Sequence, residues 1–109
     1  MRSIVSKNVH TFEFSGEMDN LRISHLKNVV IQLIEQYKCP VVQFDFKDVT
    51  FIDSTGIGFI LARYNQVNAY KGELILKNVT PFVRKILAIS GIFQIMKVEN
   101  DDLRNGVLR

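Results

Sequence analysis

Hydrophobic and polar residues alternate near the start of the chain, over residues 9–14. His10, Phe12 and Phe14 would share one face of the segment, and Val9, Thr11 and Glu13 the other. A period of two is typical of a half-buried strand, so we predict a strand here that Gly16 closes. Residues 3–7 are predicted to form an edge strand, and Asn8, a turn-forming residue, indicates a hairpin between the two.

Further along, the apolar period changes to that of an amphipathic helix. Its stripe comprises Leu26, Val29, Val30, Leu33, Ile34 and Tyr37. Residues spaced by three and four lie on one face of a helix, so this face is predicted to pack on the sheet. Asn20 is the predicted N-cap, with Asp19 beside the positive end of the helix dipole, and Pro40 stops the helix.

Two more helices are predicted in the second half of the chain. The first covers residues 54–70, and its stripe comprises Ile57, Ile60, Leu61, Tyr64 and Val67. Thr80 caps the second, Pro81 suits its first position, and Gly91 ends it. Its apolar side is assigned to Phe82, Val83, Ile86, Leu87 and Ile89. Residues 100–102 are candidates for the cap of a short final helix.

Three further strands are predicted between and after these helices. One covers residues 41–46 and is extended toward a turn by residues 49–52, and the others cover residues 73–77 and 93–98. The order β-β-α-β-α-β-α-β predicts an α/β fold with a mixed, mostly parallel sheet, an N-terminal β-hairpin and three to four helices. The length of 109 residues indicates one domain, residues 1–109. The residues predicted to be buried are Phe44, Ile60, Leu61, Leu74, Leu76 and Ile86.

Two loops are expected to meet at one edge of this sheet. Residues 16–19 and 50–58 both follow strands, and partners of such sheets bind beyond the carboxyl ends of the strands. The residues predicted to lie close together there are Asp19, Asp53, Ser54, Thr55 and Gly56.

Composition narrows the classes of protein. Hydrophobic residues make up 47% and charged residues 23%, which is typical of a soluble globular domain. Residues 1–7 lack the apolar core of a signal peptide, and a single cysteine, Cys39, excludes an internal disulfide, so we expect a cytoplasmic protein. The net charge is +3, but the basic residues are scattered, so we expect no direct nucleic-acid binding. No apolar run approaches the ~20 residues of a membrane helix, so we expect no membrane partner.

The segment FIDSTGIG, residues 51–58, carries the candidate chemistry. Asp53 or Ser54 is a natural N-cap, and the free amides of a first helical turn favour an anion. Its two glycines would let another backbone approach closely. The simplest interpretation is a helix cap alone.

Catalytic interpretations of this segment fit less well. Its spacing differs from a phosphate-binding loop, and no lysine follows the glycines. Ser54 lacks the frame of a hydrolase elbow, and the two histidines, His10 and His25, are ordinary surface or half-buried residues by their positions. Cys39 stands in a loop context rather than a catalytic one. No cofactor, metal site or catalytic residue is therefore predicted, and the chain is not expected to be an enzyme.

The same segment resembles the signature of the STAS, or anti-anti-sigma factor, family. The resemblance continues through residues 61–64, 72–74, 83–87 and 90–93, and residues 16–19 (GEMD) resemble the family's "GELD" loop. It covers residues 9–99 and is greatest to the sporulation members of the family, so the expected fold is the STAS fold.

The resemblance implies a phosphorylation switch. In that family the serine after the aspartate of this motif, here Ser54, accepts the phosphate, with Thr55 a less favoured acceptor. The unphosphorylated protein binds an anti-sigma factor that is also a serine kinase and frees the sigma factor. The partner phosphorylates it with ATP, and a PP2C-type phosphatase removes the phosphate and restores the unphosphorylated form. The partner-binding surface implied is Asp19, Asp53, Ser54, Thr55, Gly56 and Ile57. The alternative is a constitutive STAS subunit of a transport or stress-signalling assembly, without phosphorylation.

Overall fold

The alternating segment after Asn8 forms the second of five strands in a computed structural model, which describes residues 1–101. The elements are β1 (Arg2–Ser6), β2 (Val9–Met18), α1 (Asn20–Tyr37), β3 (Val41–Ile52), α2 (Ser54–Ala69), β4 (Glu73–Lys77), α3 (Pro81–Ser90), a 3-10 turn (Ile92–Gln94) and β5 (Lys97–Glu99). The predicted order of strands and helices is confirmed. Within the described residues, no helix is both long and apolar enough to cross a membrane.

The strands pair in chain order, from β1 at one edge to β5 at the other. β1 is antiparallel to β2, whereas β2, β3, β4 and β5 are parallel to one another. The predicted mixed sheet with a hairpin at its edge is therefore confirmed. Because β2, β3 and β4 run in the same direction, α1, α2 and α3 all begin at the carboxyl edge of the sheet.

One face of the sheet carries the core. Phe12 pairs with Phe44, Phe44 pairs with Leu76, and all three side chains are fully buried. The helix residues buried in the same cluster are Ile23, Val30, Ile34, Phe59, Ile60, Val67, Val83 and Leu87. On the opposite face, the half-buried Thr11 hydroxyl donates a hydrogen bond of 3.1 Å to Gln43. The helices therefore cover a single face, and the fold has two layers.

Most of the predicted core is buried. Phe44, Ile60, Leu74 and Leu76 lie inside, whereas Leu61 and Ile86 are only half-buried and pack against the margin of the core.

The apolar side assigned to α3 is partly wrong. Val83 and Leu87, spaced by four residues, pack inward, but Phe82 is 53% exposed and Ile89 is 88% exposed. A helix that lies on a flat sheet buries a narrow stripe, so the residues that flank it remain in water.

Two strand boundaries also differ from the prediction. β2 continues past Gly16 to Met18, because shifts of register between Glu13 and Glu17 let it keep its pairing with β3. The last strand is shorter than residues 93–98, since the chain first forms the 3-10 turn and β5 covers only Lys97–Glu99. The 3-10 turn buries Ile92 in the core before the chain becomes extended.

The predicted final helix mostly concerns residues 102–109, which lie outside the described part of the chain. The residues before them are not helical. The Asp101 amide donates to the Asn78 side chain at 2.6 Å, and the Asp101 carboxylate pairs with Lys77 at 2.7 Å. This pairing holds the pKa of Asp101 below its usual value.

His10 is more deeply buried than the sequence indicates. Its side chain is 0% exposed, its ring stacks on Phe12 with centroids 4.2 Å apart, and Tyr37 meets it edge-on at 5.4 Å. Neither ring nitrogen has a hydrogen-bond partner within residues 1–101. Burial disfavours the charged imidazolium and lowers the pKa of His10.

We therefore predict an acid-sensitive core. The unfolded chain binds a proton at His10 near pH 6.5, whereas the lowered pKa lets the folded protein bind it only at lower pH. The free energy of unfolding should therefore fall as pH drops from about 7 toward 5. His10→Phe should flatten this dependence, because an uncharged ring can occupy the same space. Urea denaturation at several pH values measures it, with exposed His25→Gln as the control. An unchanged slope in His10→Phe would contradict the prediction.

Candidate functional site

The two predicted loops meet at the carboxyl edge of the sheet. Met18 and Ile52 are the last paired residues of β2 and β3, and the Asp53 amide donates to the Met18 carbonyl oxygen at 3.4 Å. Asp19 and Asp53 are thus the residues that directly follow two paired strand ends. The structure brings the two loops together as predicted.

Each aspartate caps the helix that follows it. An Asp53 side-chain oxygen accepts hydrogen bonds from the Thr55 and Gly56 amides, at 2.9 and 3.1 Å. Asp19 likewise accepts from the Arg22 amide at 3.0 Å. The prediction of Asn20 as the first cap is wrong by one residue, because the extended backbone that a cap requires lies at Asp19.

Because Asp53 caps α2, the Ser54 side chain is not needed as the cap. It is the first residue of α2 and is exposed, and its hydroxyl makes no hydrogen bond within the described residues. Of the two candidate caps for α2, Asp53 takes the role. Ser54 therefore presents a free hydroxyl at the edge where both loops meet.

Gly56 sets how closely these loops approach. A Cβ atom at this position would lie 2.5 Å from the Met18 carbonyl oxygen and 2.6 Å from Ile52 Cγ1, closer than atoms can pack. Only glycine lets the first turn of α2 rest against the ends of β2 and β3. Gly56 is itself buried, so it shapes this surface from beneath, while Thr55 and Ile57 are half-buried beside it.

Sequence reasoning missed three neighbours of the site. Arg22, on the first turn of α1, donates from its guanidinium to the Ser15 carbonyl oxygen at 2.9 Å. The rings of Phe51 and Phe82 stack with centroids 6.3 Å apart. Phe51 is 37% exposed to solvent and Phe82 is 53% exposed. Phe51 belongs to the segment FIDSTGIG, but its pairing with Phe82 could not be predicted from that segment. The pairing depends on α3, which begins at the same edge of the sheet. The carboxyl edge of the sheet therefore carries an exposed serine, two carboxylates and an exposed aromatic pair.

Other reactive side chains lie away from this edge. His10 and Cys39 are located near the amino ends of β2 and β3, at the opposite edge of the sheet. His10 and Cys39 therefore lie far from Ser54. Cys39 is buried, and burial raises the pKa of its thiol, which disfavours the nucleophilic thiolate. His25 is exposed on α1.

Comparison with known proteins gives the site a family context. The STAS domain model matches residues 2–102. The anti-sigma F factor antagonist of Paenibacillus polymyxa is 32% identical over 89 residues, which cover 82% of this chain and 76% of that protein.

Two solved structures share the fold. The anti-sigma factor antagonist SpoIIAA in its unphosphorylated form is 22% identical, with a TM-score of 0.81 over 97% of this chain and 91% of that one. The Bacillus cell fate determinant SpoIIAA in its phosphorylated form is 24% identical, with a TM-score of 0.71 over 99% of this chain and 98% of that one. Together with the match over nearly all described residues, this likeness identifies the chain as a member of the STAS domain family.

Proposed function

We propose that this protein is an anti-sigma factor antagonist whose binding is switched by phosphorylation of Ser54. In its unphosphorylated form it binds an anti-sigma factor that is also a serine kinase, and the sigma factor is released. A PP2C-type phosphatase restores the binding form. The protein acts in the cytoplasm as the substrate of these enzymes and not as a catalyst. The observation that carries the proposal is the free, exposed hydroxyl of Ser54 inside the family signature.

The environment of Ser54 favours it over Thr55 as the phosphate acceptor. A kinase must bring the acceptor hydroxyl into its own active site, which requires that the residue protrude. Ser54 is exposed, whereas Thr55 is half-buried and lines a groove between α1 and α2. Asp53 contributes to the accessibility of Ser54, because it accepts the hydrogen bonds of the Thr55 and Gly56 amides and the serine is not needed for this.

A phosphate at Ser54 would add negative charge to the surface at a place where the nearby backbone amides are not available to bind it. It adds about −1.5 to −2 charges at pH 7. The sequence suggested that free amides of α2 would receive this charge, but the amides of Thr55 and Gly56 are already bonded to Asp53. The dianion would therefore stand in solvent beside a carboxylate, where the free protein tolerates it.

The cost of that charge falls on the complex. We infer that the partner covers Asp19, Asp53, Ser54, Thr55 and Ile57, which lie over Gly56, together with the aromatic pair Phe51 and Phe82. Exposed aromatic side chains are enriched in the centres of protein interfaces. Burying an unpaired charge there costs several kcal/mol, and each ~1.4 kcal/mol weakens affinity tenfold.

We predict that Ser54→Ala binds the cognate anti-sigma factor permanently and accepts no phosphate from it. Ser54→Asp should bind more weakly than Ser54→Ala, though less weakly than the phosphorylated protein, because aspartate carries less charge and bulk than phosphate. Titration calorimetry measures binding, and mass spectrometry after incubation with ATP and the anti-sigma factor measures phosphorylation. Thr55→Ser, which keeps both hydroxyls, is the matched control.

Three outcomes would contradict the proposal in different ways. Full phosphorylation of Ser54→Ala would place the acceptor elsewhere, with Thr55 examined first. Equal affinity of Ser54→Ala and Ser54→Asp would refute the electrostatic switch. Binding by the wild-type protein without any phosphorylation would favour a constitutive subunit of a larger assembly.

We also predict that the cap and the switch can be separated by stability measurements. Asp53→Ala should lower the free energy of unfolding by about 0.5–2 kcal/mol, because two amides lose their acceptor. Ser54→Ala should change it by less than about 0.5 kcal/mol, since an exposed hydroxyl without a partner contributes little. Asp53→Asn, which keeps an acceptor oxygen, is the control in urea denaturation. A larger loss for Ser54→Ala than for Asp53→Ala would show that the serine is the cap.

A further inference from the structure

A groove separates α1 from α2 on the outer side of the helical layer. Its volume is about 300 Å³. From α1 it is lined by Ile23, Lys27 and Ile31, which are spaced by four residues and share one face of the helix. From α2 it is lined chiefly by Phe59 and Arg63. Apolar side chains therefore form most of the groove, and two basic side chains border it.

Neither basic side chain has an acidic partner among the residues that the structure describes. Within residues 1–101, no carboxylate lies within ion-pair distance of Lys27 or Arg63. Arg63 is half-buried, and its guanidinium lies 5.5 Å from the centroid of the Phe59 ring. Its Nε is shielded from water and has no hydrogen-bond acceptor in the described part of the chain. Desolvation lowers the pKa of Arg63, so an anion at this place would relieve an unfavourable burial of charge.

The open space above Gly58 gives the groove its depth. A Cβ atom added at Gly58 would meet no other atom within 4 Å. This glycine differs from Gly56, which is required for packing against the strand ends. Sequence reasoning expected both glycines to admit a backbone, but only Gly56 contacts one.

The dimensions of the groove suit a small molecule better than a protein segment. Its volume is at the lower end of the range for small-molecule sites, roughly 300–1,000 Å³. A helix with its side chains is about 10–12 Å across and could not enter a space of this size. One turn beyond Arg63, the Gln66 side chain donates to the Ile31 carbonyl oxygen and to Glu35, each at 3.0 Å, and so joins the two helices there.

We propose that this groove binds a small amphipathic anion, with its apolar body along Ile23, Ile31 and Phe59 and its charged group paired with Arg63 and Lys27. This site is distinct from the phosphorylation switch and does not depend on it. The two are adjacent, however, because Thr55 lines the end of the groove next to Ser54. A bound anion would thus contact the first turn of the helix that carries the switch.

We predict that octanoate binds the wild-type protein saturably. Two-dimensional NMR of the 15N-labelled protein should show shifts concentrated in residues 23–31 and 55–63. The neutral alcohol 1-octanol has the same chain length but cannot pair with the basic residues, so it should bind about tenfold more weakly. Because no kinase or sigma factor is involved, the result is independent of the proposed switch.

Variants of the groove make the test specific. Gly58→Leu should fold normally, since leucine favours a helix and finds open space, and should abolish octanoate binding by filling the groove. Ala69→Leu, on the exposed end of the same helix, should leave binding unchanged. Arg63→Gln and Lys27→Gln should each weaken octanoate several-fold without affecting 1-octanol, and Lys85→Gln on α3 is the charge control. Thermal melts of every variant verify folding.

Two results would overturn the proposal. One is octanoate binding to Gly58→Leu with wild-type affinity. The other is a set of shifts spread over exposed apolar residues such as Phe82 and Ile89, which would indicate nonspecific adsorption.

Discussion

The close contact between Gly56 and the ends of β2 and β3 is the constraint on which the candidate site depends. The Met18 carbonyl oxygen accepts a hydrogen bond from the Asp53 amide at 3.4 Å. The same oxygen occupies the space that any side chain at position 56 would need. This contact fixes where α2 begins. It also sets Asp53 at the cap position, and the exposed first residue of the helix is then Ser54. A side chain at position 56 would displace the helix start and with it every group around the serine.

This arrangement separates the side chain that caps α2 from the side chain that we propose is phosphorylated. Asp53 stabilises the helix, and Ser54 next to it remains free. A modification of the serine can therefore alter the surface while the cap and the fold persist. If the serine were the cap, phosphorylation would change the stability of α2 and the partner surface together.

The one-sided layering of the fold also concentrates interaction surfaces. Because all three helices begin at the carboxyl edge, that edge gathers the two aspartates, the serine and the aromatic pair of Phe51 and Phe82. Parallel packing of α1 and α2 leaves the groove that leads away from Thr55. The surface that we propose for the partner and the groove that we propose for a small anion therefore share one helical turn.

The sequence by itself determined the elements, their order and the convergence of the two loops, because periodicity and parallel crossovers are properties of the local chain. It also determined that His10, Phe12 and Phe14 share a face. Only the tertiary structure decided which positions are covered: α3 buries a narrow stripe and leaves Phe82 and Ile89 in water, while the end of α1 brings Tyr37 onto His10. The role of Gly56 and the placement of Arg63 beside α1 were likewise decided by contacts between distant segments. Such contacts depend on distances of a few ångströms that no local pattern encodes.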